Sequence, residues 1–143
     1  MNGDVAIINT LLDDAPVAAL VGTRIYAYLA PEQTTLPYIT VVSNGIEPSG
    51  TSKDTSSKID VENLQVQLND IDADANIGLG EKVRAALERF SGSVVSGGVT
   101  VDVISTWFED QSKFKEREAT RTLYITEHDY HVRIRRTPDY IKA

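Results

Sequence analysis

The chain has 143 residues, no cysteine and a formal net charge of −7. That length argues for a single domain over residues 1–143, able to bury a useful core without staples. The missing cysteine excludes thiol chemistry, disulfides and Cys-based zinc sites and fits a reducing compartment, and the acidity disfavours a general grip on nucleic-acid phosphates, which needs lysine and arginine to displace counterions.

The first residues, MNGDVAIINTLLDD, lack a basic segment followed by a long apolar one, so no signal peptide is expected. No apolar run approaches the ~20 residues of a membrane-spanning helix. Asp4 to Asp14 reads as a helix, with Val5, Ile8 and Leu12 at helical spacing and Leu11 widening the stripe. Asp13 and Asp14 suit a helix end badly, because the dipole there is negative. Asp14 is better read as the N-cap of a second helix, with Pro16 in its first turn and Gly22 ending it.

Arg24 to Tyr28 is a short strand, and Pro31 to Thr35 a loop. Pro37 opens a second strand, Tyr38 to Ser43, that is β-branched almost throughout. Asn44 to Lys58, NGIEPSGTSKDTSSK, has almost nothing to bury and reads as a long mobile loop. Ile59 to Asn69 is a strand whose Leu64, Val66 and Leu68 alternate with Asn63, Gln65, Gln67 and Asn69. Asp72 or Asp74 caps a helix to about Phe90, with Leu79, Val83, Ala86, Leu87 and Phe90 as its stripe. Gly78 and Gly80 in its first turns suggest a close approach to the sheet.

Val95 to Gly98 reads as a turn, and Val99 starts a strand that continues to Trp107 or Phe108. Glu109 to Lys115 reads as a charged loop. The last strand runs from about Ala119 to Arg135, and the parity of its apolar residues changes near Glu127, where a bulge or bend is expected. Residues 137–143, TPDYIKA, form a tail. The fold class expected is α+β: a mostly antiparallel sheet of about five strands with helices packed on one face.

The motifs that could carry chemistry each meet a plainer explanation. His128 and His131 lie three apart on a strand, so they point to opposite faces and do not share a metal. GTSKDTSSK has phosphate-loop composition without the required spacing. Lys113 to Arg121 reads as a solvated hairpin loop. Asp13 with Asp14, and Asp70 with Asp72 and Asp74, sit where helix caps are wanted. An EF-hand match from Asp70 lacks its glycine, since Ala75 stands there, although Glu81 falls at the last ligand position. Arg133, Arg135 and Arg136 form either a basic patch for an acidic partner or ordinary edge-strand charge. No nucleophile and base can be paired from spacing, so no enzyme activity, cofactor or metal is expected.

One stretch is distinctive for its order of elements. DAPVAALVGTRIYAYLAPEQTTLPYITV, ending at Val41, resembles the start of the tail-completion, or tail-terminator, family of long-tailed bacteriophages. The resemblance continues through VQLNDID, ANIGLGEKVRAALERF and FEDQ and covers most of the chain, departing in the long Asn44–Lys58 loop. It implies a virion structural protein of the neck, assembled in the host cytoplasm. It also implies a ring, usually hexameric, that caps the tail tube, ends tube polymerisation and docks to the head connector. DNA would pass through the ring without sequence-specific binding, and an acidic lumen would let it slide.

A head-to-tail ring needs two different complementary surfaces per subunit, and an exposed strand edge is one way to make one. The residues expected to meet neighbours are Arg24, Tyr26, Tyr28, Pro37 and Tyr38, then Lys53, Asp54 and Lys58 of the loop, and Arg133, Arg135, Arg136 and Tyr140 near the end. The loop is expected to order on contact with a neighbouring subunit or the tube. Two other readings stay open: a head-closure or connector adaptor of the same neck, and a small α+β ligand-binding domain.

Overall fold

The computed structural model describes residues 3–48, 59–96, 98–118 and 120–135. In chain order the elements are α1 (Gly3–Asp13), α2 (Ala15–Val21), β1 (Ile25–Ala27), β2 (Tyr38–Pro48), β3 (Ile59–Asp70), α3 (Ala73–Leu87), β4 (Gly92–Ser96), β5 (Val99–Glu118) and β6 (Arg121–Arg135). The strands form one sheet in the order β1-β2-β3-β6-β5-β4, antiparallel except for the β1–β2 pair. The fold is α+β as expected, with six strands instead of about five.

The core lies on one face. Leu64, Val66 and Leu68 of β3, Ile39 and Val41 of β2, Tyr130 and Val132 of β6 and Val101 and Val103 of β5 meet Ile7 and Leu11 of α1, Val17 and Val21 of α2, and Leu79, Val83 and Leu87 of α3. The α1 stripe is rotated from the expected one: Ile7 and Leu11 are fully buried, whereas Ile8 and Leu12 are partly buried. The start of the helix sets that rotation. The Gly3 N–H donates to the buried Glu62 carboxylate at 2.7 Å, and a Cβ on Gly3 would sit 2.7 Å from Ile134 Cδ1. Burial pushes the Glu62 carboxyl up, while hydrogen bonds from Ser43 and Gly3 oppose that shift.

Both helix caps form as the sequence suggests. Asp14 accepts from the Val17 N–H at 3.2 Å, and Asp72 accepts from Ala75 at the same distance. Gly80 lies against the sheet, where a Cβ would meet His128 and Leu68 at 3.6 Å; at Gly78 a Cβ would meet open space. Asn76 fastens the first turns of α3 to the sheet by donating to the Leu68 carbonyl at 2.9 Å and accepting from Thr126.

Four expectations are corrected. Asn44 to Pro48 continues β2 past a bulge between Ser43 and Gly45, so the segment outside the described residues is only 49–58. Val95 and Ser96, expected to start a turn, end the strand Gly92–Ser96, in which Val94 pairs with Val101 and packs against the core. The charged stretches Glu109–Lys115 and Lys113–Arg121 are strand as far as Glu118: β5 runs on to that residue, laddered against β6. Finally, β6 has no bulge near Glu127. It pairs with β3 in one register throughout, and the irregularities lie on β5, at Val103/Ser105 and Phe108/Asp110. The parity change has a different cause. Leu123 and Ile125 are buried on the face away from the helices, beneath the Tyr28–Leu29 segment, Tyr38 and Phe114.

One polar cluster is built into the core. Tyr130 donates its hydroxyl to His128 Nδ1 at 3.1 Å, and His128 Nε2 donates to Gln111 Oε1 at 2.9 Å. Phe108 meets both rings edge-on, and the Arg84 guanidinium covers Phe108 at 3.8 Å while pairing with Glu88. Burial, reinforced by the nearby Arg84 and Lys113 charges, lowers the His128 pKa to about 4. His128 is therefore a neutral structural group.

Gly78→Ala is expected to stabilise the fold by about 1 kcal/mol, since the helix gains a better former with room for its methyl. Leu79→Ala is expected to cost about 2–5 kcal/mol. Chemical denaturation of both variants checks the pair. The histidine gives a pH window. Above its ordinary value of 6.5 the ring is neutral folded or unfolded; between there and about 4 only the unfolded chain takes up the proton. His128 is thus expected to remove up to about 3 kcal/mol of stability as pH falls through that window. Nitrogen-detected NMR should find its ring neutral at pH 5.5; a charged ring there would contradict this.

Candidate assembly interface

The residues expected to meet neighbours fall at two ends of the sheet. At one end, Arg24 braces the chain internally. Its Nε donates to the Pro37 carbonyl at 3.0 Å and its Nη2 to the Leu20 carbonyl at 3.4 Å, tying α2 to the start of β2 across the cis Leu36–Pro37 bond. Tyr26 stacks edge-on against Tyr38 at 6.4 Å, and Tyr38 itself is buried. Tyr28 stands in the left-handed region at φ 65°, held by its N–H on the Val41 carbonyl at 2.9 Å. That turn throws Tyr28 and Leu29 outward, 57% and 83% exposed. Of this group only Tyr28 is presented as a large contact surface; Arg24, Pro37 and Tyr38 build the support beneath it.

Arg133 and Arg135 lie at the opposite end of β6, exposed on the face away from the helices. Arg135 pairs with Asp102 at 3.4 Å. Lys53, Asp54, Lys58, Arg136 and Tyr140 lie outside the described residues. Register puts Tyr38 opposite Asn69, which faces Ile125, so the two ends are separated by about ten residue steps of β6, from Ile125 to Arg135. That is roughly 33 Å of strand.

Between those ends the uncovered face is polar. Gln65 and Gln67 both donate to the Glu127 carboxylate, at 2.7 and 3.1 Å, and Thr40 donates to Gln67 at 3.2 Å. Asp110 stands directly opposite Asp129. Desolvation raises the Asp129 pKa, a hydrogen bond from Gln65 lowers it, and the Asp110 and Glu109 charges raise it further. The Glu109 carboxylate contacts His131 Nε2. Like charges directly opposite one another destabilise a sheet, so the acidity of this face is not a device for folding.

The sequence reading missed two features. Trp107 is 73% exposed on this face, because the irregularity after Val103 reverses the parity of β5 and turns Phe108 inward in its place. The second is an open edge. β4 covers β5 only as far as Val103, and the Arg89 N–H takes the Thr106 carbonyl at 2.9 Å. From Trp107 to Glu118 no described strand pairs with the outer side of β5. The short β1 leaves a second open edge at the far side of the sheet. Among the described residues no group of three or more His, Asp or Glu is arranged to hold a metal, and no helix is long and apolar enough to cross a membrane.

Comparison with known proteins identifies the family. Residues 5–135 match the family model described as Tail completion protein gp17. Among solved structures, a chain from the virion of a native gene transfer agent particle shares the fold, with a TM-score of 0.65 and 19% identity over 92% of this chain and 93% of that one. No curated protein matches. Because the family model spans nearly all of the described sheet and helices, this chain belongs to the phage tail-completion family and is a virion structural protein, not an enzyme.

Proposed function

We propose that the chain assembles head-to-tail into a ring, hexameric in the virion, that caps the tail tube of a siphovirus-type particle. The ring ends tube polymerisation and docks the tail to the head connector at the neck, and DNA passes through its centre. The observation that carries this reading is the pair of unlike open edges, β1 on one side of the sheet and Trp107–Glu118 of β5 on the other, in a chain of a tail-completion family. Two unlike edges suit a heterologous contact, which closes into a ring when the rotation per subunit divides a full turn. Main-chain hydrogen bonding along an edge supplies affinity without a large apolar interface. The uncovered face, with Glu109, Asp110, Glu127 and Asp129 at its middle, suits a wall past which DNA slides, since like charge keeps phosphates from sticking.

The test is the mass of the purified protein by light scattering, alone and mixed with tail tubes, followed by microscopy of the tube ends. A species six times the 15.7 kDa chain mass, or a monomer that becomes tube-bound and caps ends, is expected. A monomer that leaves tube ends bare would overturn the reading.

A further inference from the structure

The β5–β6 arm reaches past the helix layer and leaves a groove. α3 begins at Ala73 and touches the sheet closely only from Asn76 and Gly80 onward. Beyond that point the helix side of the arm is uncovered, and a cavity of about 290 Å³ opens between Ala73 and Ile77 of α3 and Tyr124 of β6. Its walls are mostly apolar, and Ile77 is 44% exposed. Lys113 and Lys115 stand at the rim, and neither has an ion-pair partner among the described residues. The groove therefore asks for bulky apolar side chains with an acid beside them.

This chain carries such a segment. Asp139, Tyr140 and Ile141 place one carboxylate next to an aromatic and an aliphatic residue. The other stretch outside the description, residues 49–58, is SGTSKDTSSK and offers no large apolar side chain. The tail cannot fill the groove of its own subunit. β6 runs away from the groove for ten residues, roughly 33 Å of strand from Ile125 to Arg135. Tyr140 follows Arg135 by five residues, at most roughly 18 Å of extended chain.

We propose that the groove under the β5–β6 arm takes the Asp139–Tyr140–Ile141 segment of a neighbouring copy, with Tyr140 and Ile141 against Ile77 and Tyr124 and Asp139 facing Lys113 and Lys115. This rests on the ring reading above, which brings a second copy to the side of the arm. It gives the ring a contact made by side chains in addition to the strand edges.

The natural absence of cysteine makes the test direct. Two full-length variants, Ile77→Cys and Ile141→Cys, are mixed on tail tubes and oxidised, and the products are resolved on a non-reducing gel. A disulfide-linked dimer containing one copy of each variant is expected, formed on capped tubes and absent when either variant is replaced by the parent chain. Capping without that dimer overturns the inference and leaves the ring reading standing, whereas bare tube ends remove both. As a second readout, Tyr140→Ala with Ile141→Ala is expected to lower tube capping at least tenfold while leaving the monomer's unfolding transition unchanged. Unaltered capping by that variant would also overturn the proposal.

Discussion

The pairing of β3 with β6 is the constraint from which the rest of the molecule follows. It runs from Ile59 opposite Arg135 to Asp70 opposite Tyr124 without a register shift. Because side chains alternate strictly along a strand, this one register decides both faces at once. Leu64, Val66, Leu68, Tyr130 and Val132 go to the helices, and Gln65, Gln67, Glu127, Asp129 and His131 go to the other side. A slip of one residue would bury the amides and carboxylates and expose the core. The irregularities that the sheet does need are carried by β2 and β5, outside that central pair.

The one-sidedness has a functional consequence. A sheet covered on one face by α1, α2 and α3 keeps a polar face and two outer edges available. The molecule protects its long edge in the ways edges are usually protected, with lysines, mixed charge and an irregularity near Glu109. Those features discourage indiscriminate pairing, and in the proposed ring they leave the backbone groups available to one neighbour. The Gly22–Val41 segment does its work beside the other edge. Gly22 closes α2, Arg24 ties that end to Pro37, and the left-handed turn at Tyr28 sends Tyr28 and Leu29 outward. In the proposed ring its distinctive residues form part of the rim.

Much of this was legible in the sequence because it is local or periodic. The caps at Asp14 and Asp72, the end of α2 at Gly22, and the apolar and amide faces of β3 need only spacing and side-chain chemistry. The order of elements around LVGTRIY and LPY carried the family. What was not legible depended on partners distant in sequence. Glu109 to Glu118 is charged enough to read as a loop, and it is a strand because β6 supplies a ladder for it. The parity break at Leu123 and Ile125 was visible, but its cause was not: those residues are covered from the far face by Tyr28, Leu29 and Phe114. Of the expected interface, Tyr28, Arg133 and Arg135 are exposed, whereas Pro37 and Tyr38 are drawn inward by the Arg24 brace and the Tyr26 contact, which spacing cannot reveal.

The most direct test of assembly through the two sheet edges is hydrogen exchange at their outward-facing amides, in the free protein and on capped tail tubes. On β5 every second amide between Trp107 and Glu118 points away from β6 and is expected to exchange rapidly in the free chain. On capped tubes these amides, together with the outward one of Ala27, are expected to slow at least tenfold, while the already protected β3–β6 amides stay unchanged. Exchange at both edges that is identical in the free and tube-bound states would contradict the account.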